Sequence, residues 1–141
     1  MKRICSWFLT LALVLGLCAC GQSGEAWQEQ YDLGVRYLSE GNYEEAVVAF
    51  TAAIEIDPKR PEAYIGRGDA YALSGDTEDN LSAAQADYEA AIALDETMPG
   101  GWLGLADVYI RQGDYDKALE VLREGLDKTG GDQSIADKIE E

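Results

Sequence analysis

The sequence predicts an all-α fold in which three helix pairs stack side by side. One pattern of residues recurs three times along the chain, and the small and apolar residues within each copy have helical spacing. In the first copy the recurring residues are Leu33, Gly34, Tyr37, Gly41, Tyr43, Ala46, Phe50, Ala53 and Pro58. In the third copy the same places hold Leu105, Ala106, Tyr109, Gly113, Tyr115, Ala118, Leu122, Gly125 and Gly130. The middle copy keeps Gly68, Tyr71, Gly75, Ala84, Tyr88 and Ala91 in the same order.

Each copy reads as two helices joined by a tight turn. Leu33 and Tyr37 share one face of the first helix, and Ala46 and Phe50 share one face of the second. Small residues on these faces let the helix axes approach closely. The glycines suited to end the first helix of each copy are Gly41, Gly75 and Gly113. One such pair cannot bury its apolar face alone, so the three copies are expected to stack.

The repeated pattern resembles the tetratricopeptide repeat (TPR), a helix-turn-helix unit with the pattern W-x2-L-G-x2-Y…A-x3-F…P. Each copy meets this pattern in part, and the alignment gives repeats at 27–60, 61–98 and 99–132. Residues 133–141 are predicted to form a partial capping helix with Ser134 as its N-cap. The resemblance implies a right-handed superhelical solenoid.

The middle repeat departs from the pattern in two places. Nine residues separate Gly75 from Ala84, whereas the corresponding interval is five in the other repeats, so 76–81 holds either a longer acidic loop or an extra helical turn. Arg67 stands where the pattern has leucine. Its stem is expected to pack while its charge reaches solvent or a carboxylate.

The first 19 residues predict an export signal. Lys2 and Arg3 precede an apolar stretch that is shorter than the roughly 20 residues of a membrane-spanning helix. The ending at Cys20 resembles the bacterial lipoprotein signal, whose cysteine receives a diacylglyceryl group and becomes the mature N-terminus. The resemblance implies lipidation of Cys20, a flexible tether at 20–26 and a bacterial cell-membrane protein on the extracytoplasmic face, at the outer membrane or periplasmic side in a Gram-negative host. An ordinary secretory signal is the alternative.

Composition excludes several functions. The chain has a net charge of −16, and no basic stripe offers a surface for nucleic acid. It has no histidine and no cysteine beyond Cys20, which excludes zinc sites and Cys/His nucleophile pairs from the repeats. Asp69 and Asp107 are the one carboxylate pair worth testing as a hydrolase site, but an open, wet groove argues against that role. We therefore expect no enzyme activity, no cofactor and no metal.

The resemblance also implies a concave groove lined by the first helix of each repeat. Its expected lining is Tyr31, Val35, Leu38, Ile65, Asp69, Ala72, Leu103, Asp107 and Ile110. The lysine, arginine and asparagine clamp of chaperone-binding relatives has no counterpart at these positions, and Arg111 is expected to stand alone at the edge.

These residues predict a protein scaffold that binds a partner segment with apolar side chains and a basic residue. Simple packing between repeats is the alternative for each position. A structural subunit or assembly factor of an envelope, secretion or pilus complex, with self-association through the C-terminal repeat, is the alternative function.

Overall fold

A computed structural model describes the backbone of residues 5–141 and the side chains of residues 23–141. Within this part the chain forms seven helices and no strand. The helices are α1 (Cys5–Glu40), α2 (Tyr43–Ile56), α3 (Pro61–Ser74), α4 (Glu78–Leu94), α5 (Pro99–Gln112), α6 (Tyr115–Lys128) and α7 (Gln133–Glu140). The all-α prediction is confirmed.

The predicted signal segment 1–19 and the lipidation site Cys20 lie outside the residues whose side chains are described. The predicted tether 20–26 lies within α1, where Ser23 and Gly24 are helical, so a flexible tether stays a prediction for the chain after cleavage. None of the helices, over their described residues, combines the length and the hydropathy that crossing a membrane requires.

The helices follow one another as three stacked pairs with a single helix at the end. α1 packs on α2, α3 on α4 and α5 on α6, and each pair contacts the next. The first helices of successive pairs also touch, α1 against α3 and α3 against α5. α7 contacts both α5 and α6, as the first helix of a fourth repeat would. This arrangement is the solenoid expected from the repeats.

Local sequence signals explain where the helices begin and end. Pro61 and Pro99 occupy the first turn of α3 and α5, where a missing N–H costs nothing. Gly113 ends α5 in the left-handed conformation with φ 81°, and the N–H of Asp114 reaches back to the carbonyl of Tyr109 at 2.9 Å. The reversal between α5 and α6 is therefore tight.

The four additional residues of the middle repeat mainly lengthen its second helix. α4 has 17 residues, whereas α2 and α6 have 14 each. Thr77 is its N-cap, and its hydroxyl accepts the N–H of Asn80 at 3.2 Å. Of the two alternatives for 76–81, the extra turn is the one that the structure adopts.

Aromatic rings of the second helices fill the space that glycines leave in the first helices. A Cβ on Gly34 or Gly66 would lie 2.7 or 2.5 Å from the Phe50 ring, so this ring sits between α1 and α3. A Cβ on Gly68 or Gly104 would lie 2.9 or 2.3 Å from the Tyr88 ring, which sits in the same way between α3 and α5. The glycines thus allow the first helices to come close together and form one continuous surface.

The C-terminal helix begins differently from the prediction. Asp132, not Ser134, is the N-cap of α7, and its carboxylate accepts the N–H groups of Ser134 at 3.0 Å and Ile135 at 3.4 Å. A carboxylate at a helix N-terminus also interacts favourably with the helix dipole, which a serine hydroxyl does only weakly. Ile135 is fully buried against the core of the third repeat.

Candidate functional site

The surface formed by α1, α3 and α5 carries two adjoining depressions, which we call the first and second depression of the groove. The first has a volume of about 300 Å³ and the second about 210 Å³. Both are lined by Leu38 and Asp69. Of the other predicted groove residues, the first depression holds Tyr31, Val35 and Ile65, and the second holds Ala72 and Asp107. The structure thus brings together seven of the nine predicted positions.

Leu103 and Ile110 line neither depression. Both are partly buried and pack against the hydrophobic core that includes Trp102 and Tyr109. At these two positions the packing alternative describes the structure better than the groove does. α7 packs against α5, so the third repeat has a neighbour along this helix.

The row of groove-lining residues on α3 begins one helical turn earlier than the sequence analysis predicted. Glu62 lines the first depression beside Ile65 and Asp69. It lies three residues before Ile65 and seven before Asp69, so the same helical spacing that selected those two residues also selects Glu62. The signal was present in the sequence, but the alignment to the family pattern started this row at Ile65.

Asp69 is held by the aromatic ring that packs behind the groove. The Tyr88 hydroxyl donates a hydrogen bond of 2.6 Å to Asp69 Oδ1. Burial raises the pKa of the Asp69 carboxyl, the hydrogen bond from Tyr88 opposes this rise, and the charge of Asp107 adds to it. Burial and the Asp69 carboxylate likewise raise the pKa of Tyr88, so its hydroxyl remains a donor.

The sequence predicted that Arg111 stands alone at the groove edge, and this prediction is wrong. Its Nε donates to Asp107 Oδ2 at 2.8 Å, and its Nη1 donates to the carbonyl of Ala72 at 2.7 Å and to Asp76 Oδ1 at 3.0 Å. These contacts tie α5 to the end of α3. They also compensate the charge of Asp107 within the second depression.

Glu62 has no such compensation. Its Oε2 is enclosed and accepts no hydrogen bond from any described residue. Beside it, Tyr31 stacks on Trp27 with 4.8 Å between ring centroids, and burial, followed by the charge of Glu62, raises the Tyr31 pKa. The described residues contain no group of three or more acidic, cysteine or histidine side chains placed to hold a metal ion.

A separate depression of about 390 Å³ lies on the outer face of the first repeat, between α1 and α2. Leu33, Tyr37 and Val48 line it, and Val48 is 70% exposed. In the second repeat the residue aligned with Leu33 is Arg67, which donates to Thr51 of the preceding repeat at 3.1 Å. The outer face of the first repeat has no preceding repeat among the described residues to cover it.

Comparison with known proteins agrees with this architecture. A family model described as TPR repeat matches residues 34–75, and a model described as tetratricopeptide repeat matches residues 77–138. Superkiller protein 3 of Schizosaccharomyces pombe is 46% identical over 43 residues, which cover 30% of this chain and 3% of that protein. The chain therefore spans only a small part of this relative.

Solved structures of TPR domains have the same fold. The TPR2B domain of yeast Sti1, in its complex with pHsp70, has a TM-score of 0.74 at 25% identity, covering 82% of this chain and 91% of that one. The first TPR of Spaghetti (RPAP3), bound to the HSP90 peptide SRMEEVD, has a TM-score of 0.72 at 17% identity, with coverage of 82% and 91%. The two family matches and the stacked helix pairs show that this chain belongs to the tetratricopeptide repeat family.

Proposed function

We propose that the protein is a lipid-anchored scaffold on the extracytoplasmic face of a bacterial membrane, and that it recruits a protein partner by binding one of its segments in the groove. The observation that carries this proposal is the pair of adjoining depressions along α1, α3 and α5. Val35 is 44% exposed there, and exposed apolar side chains within a concave surface favour a peptide ligand.

The solved relatives support a peptide ligand and suggest how it differs here. The yeast Sti1 domain is in complex with pHsp70, and the Spaghetti domain is bound to the peptide SRMEEVD, which carries three acidic side chains and one arginine. In this chain the groove contains Glu62 and Asp69, and neither has a basic partner among the residues that the structure describes. Because like charges repel, we expect a partner segment that is apolar and not acidic.

The lipid anchor is the second part of the proposal. Lys2 and Arg3 are the only charged residues before Cys20, so the chain that begins at Cys20 has a net charge of −18. Anionic headgroups repel such a body, and stable attachment therefore requires a covalent two-chain anchor. We expect the wild-type chain to incorporate a labelled fatty acid and the Cys20→Ser variant to lose both the label and membrane attachment. A mature protein of unmodified mass in membranes would contradict the anchor.

The outer face of the first repeat favours a second candidate function, which is assembly into a larger envelope, secretion or pilus complex. Leu33, which lines this depression beside the exposed Val48, lies where its counterpart in the second repeat, Arg67, contacts the preceding repeat. A neighbouring subunit that covers this face would extend the stack. Self-association through the C-terminal repeat stays a prediction.

Two matched variants separate these functions. Val35 and Val48 are both exposed valines of the first repeat, one in the groove and one on the outer face, so each is replaced by aspartate. Proteins captured by the wild-type chain from detergent-solubilised membranes are compared with those captured by each variant, after circular dichroism shows both to be folded. Loss with Val35→Asp alone supports groove binding. Loss with Val48→Asp alone supports assembly through the outer face and contradicts the groove.

A further inference from the structure

The negative charge of the groove is concentrated in its first depression. In the second depression, Asp107 forms an ion pair with Arg111 at 2.8 Å. Asp69, which both depressions share, accepts a hydrogen bond from the neutral hydroxyl of Tyr88 and forms no ion pair within the described part of the chain. Glu62 lines the first depression, and its enclosed Oε2 receives no donor from the described residues. Among residues 23–141, no lysine or arginine lines this depression.

An enclosed carboxylate oxygen without a donor is unusual in a folded protein. Removing such a group from water is unfavourable unless a hydrogen bond or an opposite charge compensates it. Glu62 and Asp69 lie two turns apart on one face of α3 with Ile65 between them, so their carboxyl groups and an apolar side chain border the same space. A cation in this space would be attracted by both carboxylates, and a rotation of the Glu62 side chain would bring its enclosed oxygen into contact with that cation.

The shape and the walls of the first depression suit a long basic side chain. Its volume of about 300 Å³ accommodates a methylene stem with a charged end. Tyr31, Ile65 and Met98 provide apolar walls against which such a stem can pack. The combination of an apolar wall and an unpaired acid distinguishes this depression from a solvated acidic patch.

We propose that the first depression receives a lysine or arginine side chain of the partner segment, with its charge held by Glu62 and Asp69 and its stem against Tyr31 and Ile65. This inference rests on the proposed groove function and names the chemistry of the segment that binds there. Glu62 is then a specificity-determining residue, and the carboxylate pair that selects the ligand is Glu62 with Asp69, not Asp69 with Asp107.

The probe is a displayed library of random peptides with both termini blocked, selected against the full-length chain in detergent. Blocked termini remove the peptide's own terminal charges, so any preference reports side chains. We expect the selected peptides to share one basic position flanked by apolar residues, and to lose binding to Val35→Asp. The selected lysine or arginine is then replaced by norleucine, which keeps the stem and removes the charge.

Two isosteric variants with the same change of charge complete the test. Glu62→Gln should weaken the basic peptide about thirty-fold and leave the norleucine peptide unaffected. Glu120→Gln, at an exposed position of α6, should change neither. Val35-dependent peptides without a basic position, or equal losses with both glutamine variants, would overturn this inference and leave groove binding standing. A selection that yields no Val35-dependent peptide would overturn both.

Discussion

Arg67 and Asp87 form a bidentate ion pair between the two helices of the middle repeat. Arg67 Nε donates to Asp87 Oδ2 at 2.8 Å, and Nη2 donates to Oδ1 at 2.7 Å. Only 5% of Asp87 is exposed. By alignment with Phe50 and Tyr88, Asp87 stands where the first repeat has Ala49. The middle repeat therefore replaces an apolar pair by a charged one, and the carboxylate that Arg67 was expected to reach is Asp87.

This exchange predicts strong coupling between the two positions. Asp87→Ala leaves the guanidinium of Arg67 partly buried without its partner, and we expect a loss of about 3 kcal/mol in the free energy of unfolding. The double variant Arg67→Leu with Asp87→Ala restores the pair found in the first repeat and should recover most of this loss. Urea unfolding followed by circular dichroism measures both. Equal losses in the single and the double variant would contradict the coupling.

The packing of α5 against the Tyr88 ring gives a second prediction. A Cβ on Gly104 would lie 2.3 Å from Tyr88 Cε1, so Gly104→Ala forces the ring or the helix to shift. We expect a loss of about 1 to 3 kcal/mol in thermal or urea unfolding. Gly24→Ala in α1 is the control, because no atom of the described residues lies within 4 Å of its Cβ position and alanine favours a helix. Similar losses in both variants would contradict the role of the ring.

The extra turn of α4 depends on its N-cap. Thr77→Ala removes the hydroxyl that accepts the N–H of Asn80, and we expect a loss of about 1 kcal/mol in the free energy of unfolding. Ser82→Ala, at an exposed position of the same helix, serves as the control and should be close to neutral. Hydrogen exchange should show faster opening at the start of α4 in the Thr77 variant. Unchanged exchange there would contradict this role of Thr77.

The sequence predicted the helices because their signals are local. Apolar residues three and four apart mark one helix face, and Gly113 marks a helix end within its own few residues. The groove residues on α1 and α3 follow from the same spacing, since neighbouring first helices touch. Glu62 has the same spacing and lines the groove, although the family alignment did not select it as a groove residue.

The remaining features depend on contacts between distant parts of the chain. Arg111 is bound by Ala72 and Asp76, which lie in the preceding repeat, so no local pattern predicts these two contacts. Its pairing with Asp107 has the i, i+4 spacing of a helical ion pair and was readable from the sequence. Leu103 packs against the hydrophobic core and does not line the groove, because that core combines residues from several helices. A repeat alignment assigns positions as if every repeat had the same neighbours, and in a three-repeat stack the first and last repeats do not.

The raised pKa of Asp69 predicts that the groove lowers stability at neutral pH. Burial raises the pKa of this carboxyl above its ordinary value of 3.8, so keeping it charged in the folded state costs free energy. This free-energy cost is complete above the raised pKa, shrinks as the pH falls through that pKa, and is gone below about 3.8, where the carboxyl is protonated in both the folded and the unfolded state.

Asp69→Asn keeps an oxygen that accepts from the Tyr88 hydroxyl and lacks the charge. The variant should therefore melt at a higher temperature than the wild type at neutral pH, with a difference that shrinks toward acid pH. Glu120→Gln, which removes an exposed charge, should show no such pH-dependent gain. A difference between Asp69→Asn and wild type that grows as the pH falls would contradict the buried charge.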